Sequence, residues 1–388
     1  MTDLALDVVT DDAGLAELRG VWADLSAADP DPNVFLTWAW VSTWWQHFGA
    51  GREDRELHVV VVRDGATVVG LAPLYRARSG AGPLGTSVLQ RLNPDAGDYG
   101  GMLLGRRAGE AVALLVDHLG AQLQRDVDVV VLTRLASDAR FTGLLGDELV
   151  RHAATIETVV DQLGDACLFT DVRGDFDLRK QAKKHKIGQR TRRLGEQHGG
   201  VVFREHTGDT LEEGLDRLVT LHDLRWAQLD EPMQGLMAAE DTTAFLLDAI
   251  RALDAEGAVR LLSVEAGGKP VAVELDFVHG DRVFLFKGAF DPEFAAFSPG
   301  QLLHHKVFED GLADDVVVFD FCRGDAAYKR RWATGERHLA TVTLSRTGLP
   351  GALARQRFRA GRALTRRLGT RRPSGPFGHR KPGDRRRT

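Results

Sequence analysis

The stretch Ala258-Val-Arg-Leu-Leu-Ser-Val-Glu265, then Ala266-Gly267-Gly268-Lys269, then Pro270-Val-Ala-Val-Glu-Leu-Asp-Phe277 decides how the chain folds. Two runs rich in Val and Leu flank a turn with consecutive glycines, which can adopt the backbone angles of a tight hairpin turn, so the stretch predicts a β-hairpin. An earlier stretch repeats the plan: Leu57-His-Val-Val-Val-Val-Arg63, the turn dipeptide Asp64-Gly65, and Thr67-Val-Val-Gly-Leu-Ala-Pro-Leu74. Each hairpin follows helical, tryptophan-bearing sequence and precedes further strand and helix signals. The repetition predicts a diverged duplication of one unit.

Outward from the second hairpin, periodicity predicts a strand over 201–205 and helices over 211–229 and 241–256. Beyond it come a strand over 283–290, a helix over 299–310, a strand over 316–321, a short helix holding Tyr328 and a last strand near 339–344. Outward from the first hairpin lie a loop over 93–101, a helix over 107–124 with Ala111, Leu114, Leu115, His118 and Leu119 on its apolar side, and a strand over 127–132. The stretch 137–173 has no clear period and closes the first unit; a basic helix over 178–198 opens the second. Interleaved strands and helices predict an α/β, or mixed α+β, fold with a mixed sheet flanked by helices. The expected divisions are 1–174, 175–348 and a basic tail, 349–388, helical over 352–368 and disordered over 370–388.

With 43% apolar and 27% charged residues, the 388-residue chain can bury a core, which excludes fibrous and wholly disordered classes. Its longest apolar runs are strand-sized, well short of the roughly 18 residues of a membrane-spanning helix. The opening Met1-Thr2-Asp3-Leu4 lacks the basic, then apolar, head of a secretory signal. The two cysteines, Cys167 and Cys322, offer no disulfide framework, and a reducing, cytoplasmic setting is expected. The net charge of −5 conceals an asymmetry, because 351–388 holds thirteen Arg or Lys against Asp384 alone. An acidic body with a cationic tail argues against a body that coats nucleic acid, and suits an anionic partner (RNA, lipid or acidic protein) for the tail.

Several constellations could carry chemistry. Ser298-Pro299-Gly300-Gln301 reads as a capping box with Pro at the first helical position, and Gly300 would let an anion approach the free amides of the first turn. Strand alternation puts Ala272, Glu274 and Asp276 on one face, so two carboxylates sit together, either as general-base candidates or on a solvated sheet face. Asp320 lies at the end of a strand, where α/β sheets place ligands, followed by Tyr328 as a proton donor and Lys329 as a phosphate contact. The alternative is that Tyr328 and Trp332 simply pack together. His222 and Arg225, one helical turn apart, and Asp98 and Tyr99 in the 93–101 loop are candidates for substrate contact. Trp38, Trp40, Trp44 and Trp45 read as core rather than a ligand cage, and the basic run from Arg179 to Arg193 as a solvated face or, alternatively, a phosphate contact. No metal is expected: His304 and His305 are adjacent and diverge on a helix, and there is no glycine-rich nucleotide loop of either common type.

The order of these motifs resembles the CelD-like branch of the GNAT acyltransferase superfamily, the cellulose-biosynthesis acetyltransferase type. It runs through the Trp38 to Trp45 helix, Gly70-Leu-Ala-Pro-Leu74, Arg190-Thr-Arg-Arg-Leu194, Leu221-His-Asp-Leu-Arg-Trp226, Gly268-Lys-Pro-Val-Ala272, Asp291-Pro292 and Ser298-Pro-Gly300 to Asp320-Phe-Cys-Arg-Gly324 with Tyr328, Lys329 and Trp332. The match covers about residues 20 to 345, and the branch is similar in architecture to FemABX peptidyltransferases, which hold two GNAT-like folds. The resemblance implies two tandem GNAT-like units and acyl-CoA, such as acetyl-CoA, as co-substrate without a metal. It implies a pantetheine arm along the 283–290 strand at Lys287 and Gly288, and a pyrophosphate at Ser298, Gly300 and Gln301. It implies Glu274 or Asp320 as base for an amine acceptor, a small molecule or amino sugar, and Tyr328 as the acid. The usual Gln/Arg-x-x-Gly-x-Gly/Ala loop is replaced by Ser298-Pro299-Gly300. Competing expectations are a FemABX-like aminoacyl or peptidyl transferase using aminoacyl-tRNA, and a non-catalytic binding protein with a polyanion-binding tail.

Overall fold

The computed structural model describes residues 3–79, 85–227 and 240–368. The chain divides into two compact units, one made of Met1–Asp165 with Arg337–Thr388 and the other of Ala166–Glu336.

The first unit opens with β1 (Ala5–Val9), α1 (Asp12–Glu17), α2 (Arg19–Ala28), α3 (Trp38–Phe48) and the short β2 (Arg55–Leu57). Thr37 caps α3 through its hydroxyl, and Trp22, Trp40 and Trp44 are fully buried, so the tryptophan cluster is core. The first hairpin forms as expected from β3 (Val59–Asp64) and β4 (Thr67–Ala72), turning at Gly65 with φ 60°. Then come β5 (Leu74–Ser79), β6 (Thr86–Arg91), β7 (Leu103–Leu104), α4 (Ala108–Arg125), β8 (Val129–Ala136), α5 (Arg140–Arg151) and β9 (Ile156–Asp171), which runs on into the second unit. One small antiparallel sheet has the order β1-β3-β4-β7. Ala111, Leu115 and Leu119 of α4 lie in the core between the strands, as their spacing predicts.

In the second unit the basic segment is two helices, α6 (Leu178–Lys184) and α7 (Ile187–His198), broken where Lys186 takes a left-handed φ of 54°. There follow β10 (Val201–Glu205), α8 (Leu211–Ala227), α9 (Glu240–Asp254), β11 (Val259–Ala266), β12 (Lys269–His279), β13 (Arg282–Phe290), α10 (Pro299–Ala313), β14 (Val318–Arg323) and α11 (Ala327–Arg330). The strand order is β10-β11-β12-β13-β14, with the end of β9 outside β14. All pairs are antiparallel except β13 with β14. One face carries Leu262, Val264, Ala272 and Leu285 against Val307 and Phe308 of α10, with Phe319 and Phe321. The other carries Leu261 and Ser263 against α8, where Arg217 donates to the Ser263 hydroxyl at 3.0 Å.

The chain then returns to the first unit as β15 (Gly335–Arg346), antiparallel to β8, and α12 (Leu349–Leu368). This differs from the expected division, which kept 337–348 with the second unit and put the boundary near 174. The reason is pairing at long range: Val342, Thr343 and Leu344 find Leu132, Val131 and Val130, and nothing local in the sequence signals that partner. The disorder expected over 370–388 lies outside the described residues, as does the end of the helix expected over 211–229.

Candidate active site

The second hairpin builds the site. Cross-strand pairing sets Glu274 opposite Leu262 and Gly288, and Asp276 opposite Arg260 and Leu285, all on the face that α10 covers. Glu274 is 3% exposed and Asp276 fully buried, so the expected pair of carboxylates shares a dry face rather than a solvated one. From α10, His304 reaches Glu274 with Nδ1 2.8 Å from the carboxylate, and it is itself buried. The Tyr328 ring lies 5.5 Å from the His304 ring, and Phe321 and Trp332 close the same side at 6.0 and 6.4 Å. In the sequence His304 stands beside His305, a spacing that argues against a metal site and hides the role of His304 in the site. Its signal was its place one turn after Gln301, on the side of α10 that must face the sheet.

Among the described residues neither oxygen of Asp276 has a well-formed hydrogen bond, although the Phe286 amide lies close enough to act on its charge. Burial first, then the Glu274 charge, push the Asp276 carboxyl well above the usual carboxylate range, against the opposing pull of Arg260 and the Phe286 amide. Arg260 bonds Asp314 at 2.5 Å, and its Nη1 is buried without a hydrogen-bond partner among the described residues. Two carboxyls on one face therefore divide their roles. Burial and the neighbouring charge favour the protonated form of Asp276, while Glu274 lies against His304 Nδ1.

Two features open this face. The parallel ladder between β13 and β14 covers three pairs, Arg282 with Val318, Val283 with Phe319 and Phe284 with Asp320, after which the ladder ends. A bulge in the β12–β13 pairing at Leu275/Asp276 leaves Phe286 as the extra residue. Beyond it Gly288, directly across from Glu274, is exposed, and a Cβ there would meet only the Val273 carbonyl at 3.8 Å. At the start of α10 Gly300 is open too, with nothing within 4 Å of an added Cβ. Pro299 occupies the first position as expected, but the capping box does not form. Ser298 has a left-handed φ of 51° and makes no side-chain cap, while the Gln301 side chain accepts from the Trp332 indole at 2.8 Å. Gln301 therefore anchors Trp332, which stacks on Phe308 and His185.

The remaining candidates separate. Asp320 points to the opposite face from Glu274, because its neighbours Phe319 and Phe321 pack under α10, and it accepts from the Cys322 amide at 2.8 Å. Lys287 shares that opposite face, 5.7 Å from the Phe286 ring. His222 sits in α8, buried, 3.8 Å from the Asp223 carboxylate; the Arg225 side chain lies outside the described residues. Lys329, expected at a phosphate, instead donates to the carbonyls of Phe321 and Arg323, both at 2.7 Å, closing the end of β14. Asp98 and Tyr99 belong to the first unit. Their loop is held from within by Arg91, which is fully buried and donates to the carbonyls of Tyr99, Pro94 and Gly97. Tyr99 packs beside Phe35 rather than presenting its ring, and Asp98 lies 3.9 Å from Arg134. The structure thus unites Glu274, Gly288, Gln301 and Tyr328 around His304 and Trp332. Asp320, Lys287 and His222 lie on the other side of the sheet.

A family model described as an acetyltransferase (GNAT) domain matches residues 181–330, the span from the basic helices through α11. No curated protein matches the chain. Among solved structures, FemX aligns with a TM-score of 0.58 at 12% identity, covering 82% of this chain and 95% of that one. A conserved protein of unknown function from Bacteroides thetaiotaomicron VPI-5482 aligns with a TM-score of 0.56 at 12% identity, covering 87% and 100%. The C-terminal domain of a putative lysylphosphatidylglycerol synthetase from Agrobacterium fabrum gives 0.54 at 12%, covering 90% and 97%. At such identities the likeness is one of fold. The chain has a GNAT-type acyltransferase fold, and the family match lies within its second unit.

Proposed function

We propose that the second unit moves an acyl group from an acyl-CoA thioester, with acetyl-CoA the simplest donor, to the amine of a small molecule or sugar. The observation that carries this reading is the buried Glu274–His304 pair set beside the bare backbone of Gly288, where β13 has run past its ladder with β14. Coenzyme A, when bound, supplies the acyl group as a thioester.

The residues present suit that donor. Gly288 and Gly300 leave backbone open to a ligand, the first-turn amides of α10 suit a diphosphate, and strand amides beyond the ladder can donate to the thioester carbonyl. Glu274, accepting from His304 Nδ1–H, fixes the tautomer that offers Nε2 as proton acceptor for the attacking amine. Tyr328, 42% exposed beside His304, is placed to protonate the departing thiolate. Direct transfer needs no covalent enzyme intermediate. The finer assignment, to the CelD-like type, is supported by the order of motifs along the chain.

Thermal melting with acetyl-CoA, longer acyl-CoA, free coenzyme A and aminoacyl-tRNA tests the reading. A thioester at a hundred times its Kd should add about 2.7 kcal/mol of stability. A shift with aminoacyl-tRNA alone would replace it by a FemABX-like transfer, and no shift with any donor would leave a binding protein.

A further inference from the structure

Helix α12 has two unlike faces. Its docked face buries Ala354 and Phe358, one turn apart, on Val88, Val129 and Val131 of the first unit. Arg355 ties the flank to Glu157 at 2.6 Å. Its outer face holds Leu349, 76% exposed, and Leu353, 46% exposed, with Ala352, Gln356, Arg357, Arg359 and Ala360 also exposed. A helix lying on a domain ordinarily turns its leucines inward. Here the inward positions are already filled, and two leucines one turn apart face outward among arginines. Over its length α12 carries six Arg and no acidic residue.

We infer that this outer face docks on an anionic lipid bilayer, with the arginines at headgroup phosphates and Leu349 and Leu353 at the acyl boundary. Charge complementarity argues for that occupant. The stretch 351–388, which includes this face, has thirteen cationic residues against one acidic, while the chain as a whole is net −5, so a negative surface attracts that stretch and repels the rest. Each Arg near such a surface contributes on the order of 1 kcal/mol, and leucine insertion adds an apolar term that salt does not screen. A single-stranded nucleic acid would leave the leucines bare and would draw on exposed aromatic rings, whereas the one aromatic of α12, Phe358, is buried. Docking is peripheral: among the described residues no helix is long and apolar enough to cross a membrane.

Co-sedimentation of the full chain with vesicles tests this. Binding is expected to phosphatidylcholine vesicles containing phosphatidylglycerol and not to phosphatidylcholine alone. The double change Leu349→Glu with Leu353→Glu should weaken it about tenfold or more, with an unchanged melting temperature because both side chains are exposed. Arg357→Glu with Arg359→Glu should weaken it and flatten its salt dependence. Undiminished binding by the leucine variant, equal binding to neutral vesicles, no binding to either vesicle, or displacement from vesicles by single-stranded RNA would each overturn the inference.

Discussion

Replacing Asp276 by Asn should flatten the fall in stability that the wild-type protein suffers as pH rises. The exchange keeps size and shape at a fully buried position and substitutes a group that is neutral at every pH. Burial and the neighbouring Glu274 charge raise the Asp276 carboxyl well above its ordinary value of 3.8, so the folded protein holds a proton that the unfolded chain releases. For a group raised on folding, the stabilising contribution is complete below the unfolded value and is lost as pH climbs through the folded one. A difference of one proton sets the slope, about 1.4 kcal/mol per pH unit, beginning near pH 4 and ending at the folded value. The other titrating groups are common to both proteins, so subtracting the two stability curves isolates this carboxyl together with its coupling to Glu274. Urea unfolding at closely spaced pH values measures the difference. Curves for wild type and variant that run parallel from about pH 5 to 8 would refute the assignment of a retained proton to Asp276.

Glu274→Gln should lower kcat about 10²- to 10⁴-fold while the thermal shift caused by acyl-CoA stays as in wild type; a lost shift would move Glu274 from chemistry to donor binding. His304→Asn combined with Glu274→Gln should cost little more than either change alone, since the pair acts as a unit, and steady-state kinetics of the three variants decides this. Gly300→Ala should raise stability by about 0.5–1 kcal/mol, because the added methyl meets nothing within 4 Å, and yet weaken donor binding in calorimetry. Trp332→Phe should cost about 1–3 kcal/mol in denaturant unfolding, since it keeps the stack on Phe308 but leaves the Gln301 side-chain oxygen buried without its donor.

Local pattern carried most of the fold. Both hairpins, the helix α4 with its apolar stripe and the Pro299 helix start form where alternation and helical period place them, because these signals act over a few residues. What stayed hidden depends on distant partners. The stretch 137–173 contains a helix and the long β9, whose burial is uneven and blurs its period. Lys186 breaks the basic helix through a left-handed residue that no glycine or proline announces. In the site, alternation correctly put Glu274 and Asp276 on one face, but it could not say that Asp320, on another strand, would face the other way. That depends on which side of the sheet α10 covers. Gln301 and Lys329 suggest capping and charge by residue type; their actual partners, the Trp332 indole and two strand carbonyls, are set by tertiary packing. His304 became visible only when its carboxylate partner, thirty positions earlier, was brought against it.

The return of β15 and α12 to the first unit bears on biosynthesis. A ribosome delivers the whole of 166–336 before the strand that flanks β8 exists, so the enzyme-like half can collapse while its predecessor still has an open edge. During synthesis β8 therefore keeps one edge without its neighbour until 339–344 emerge to pair with it, and an edge left open in this way favours pairing with other strands.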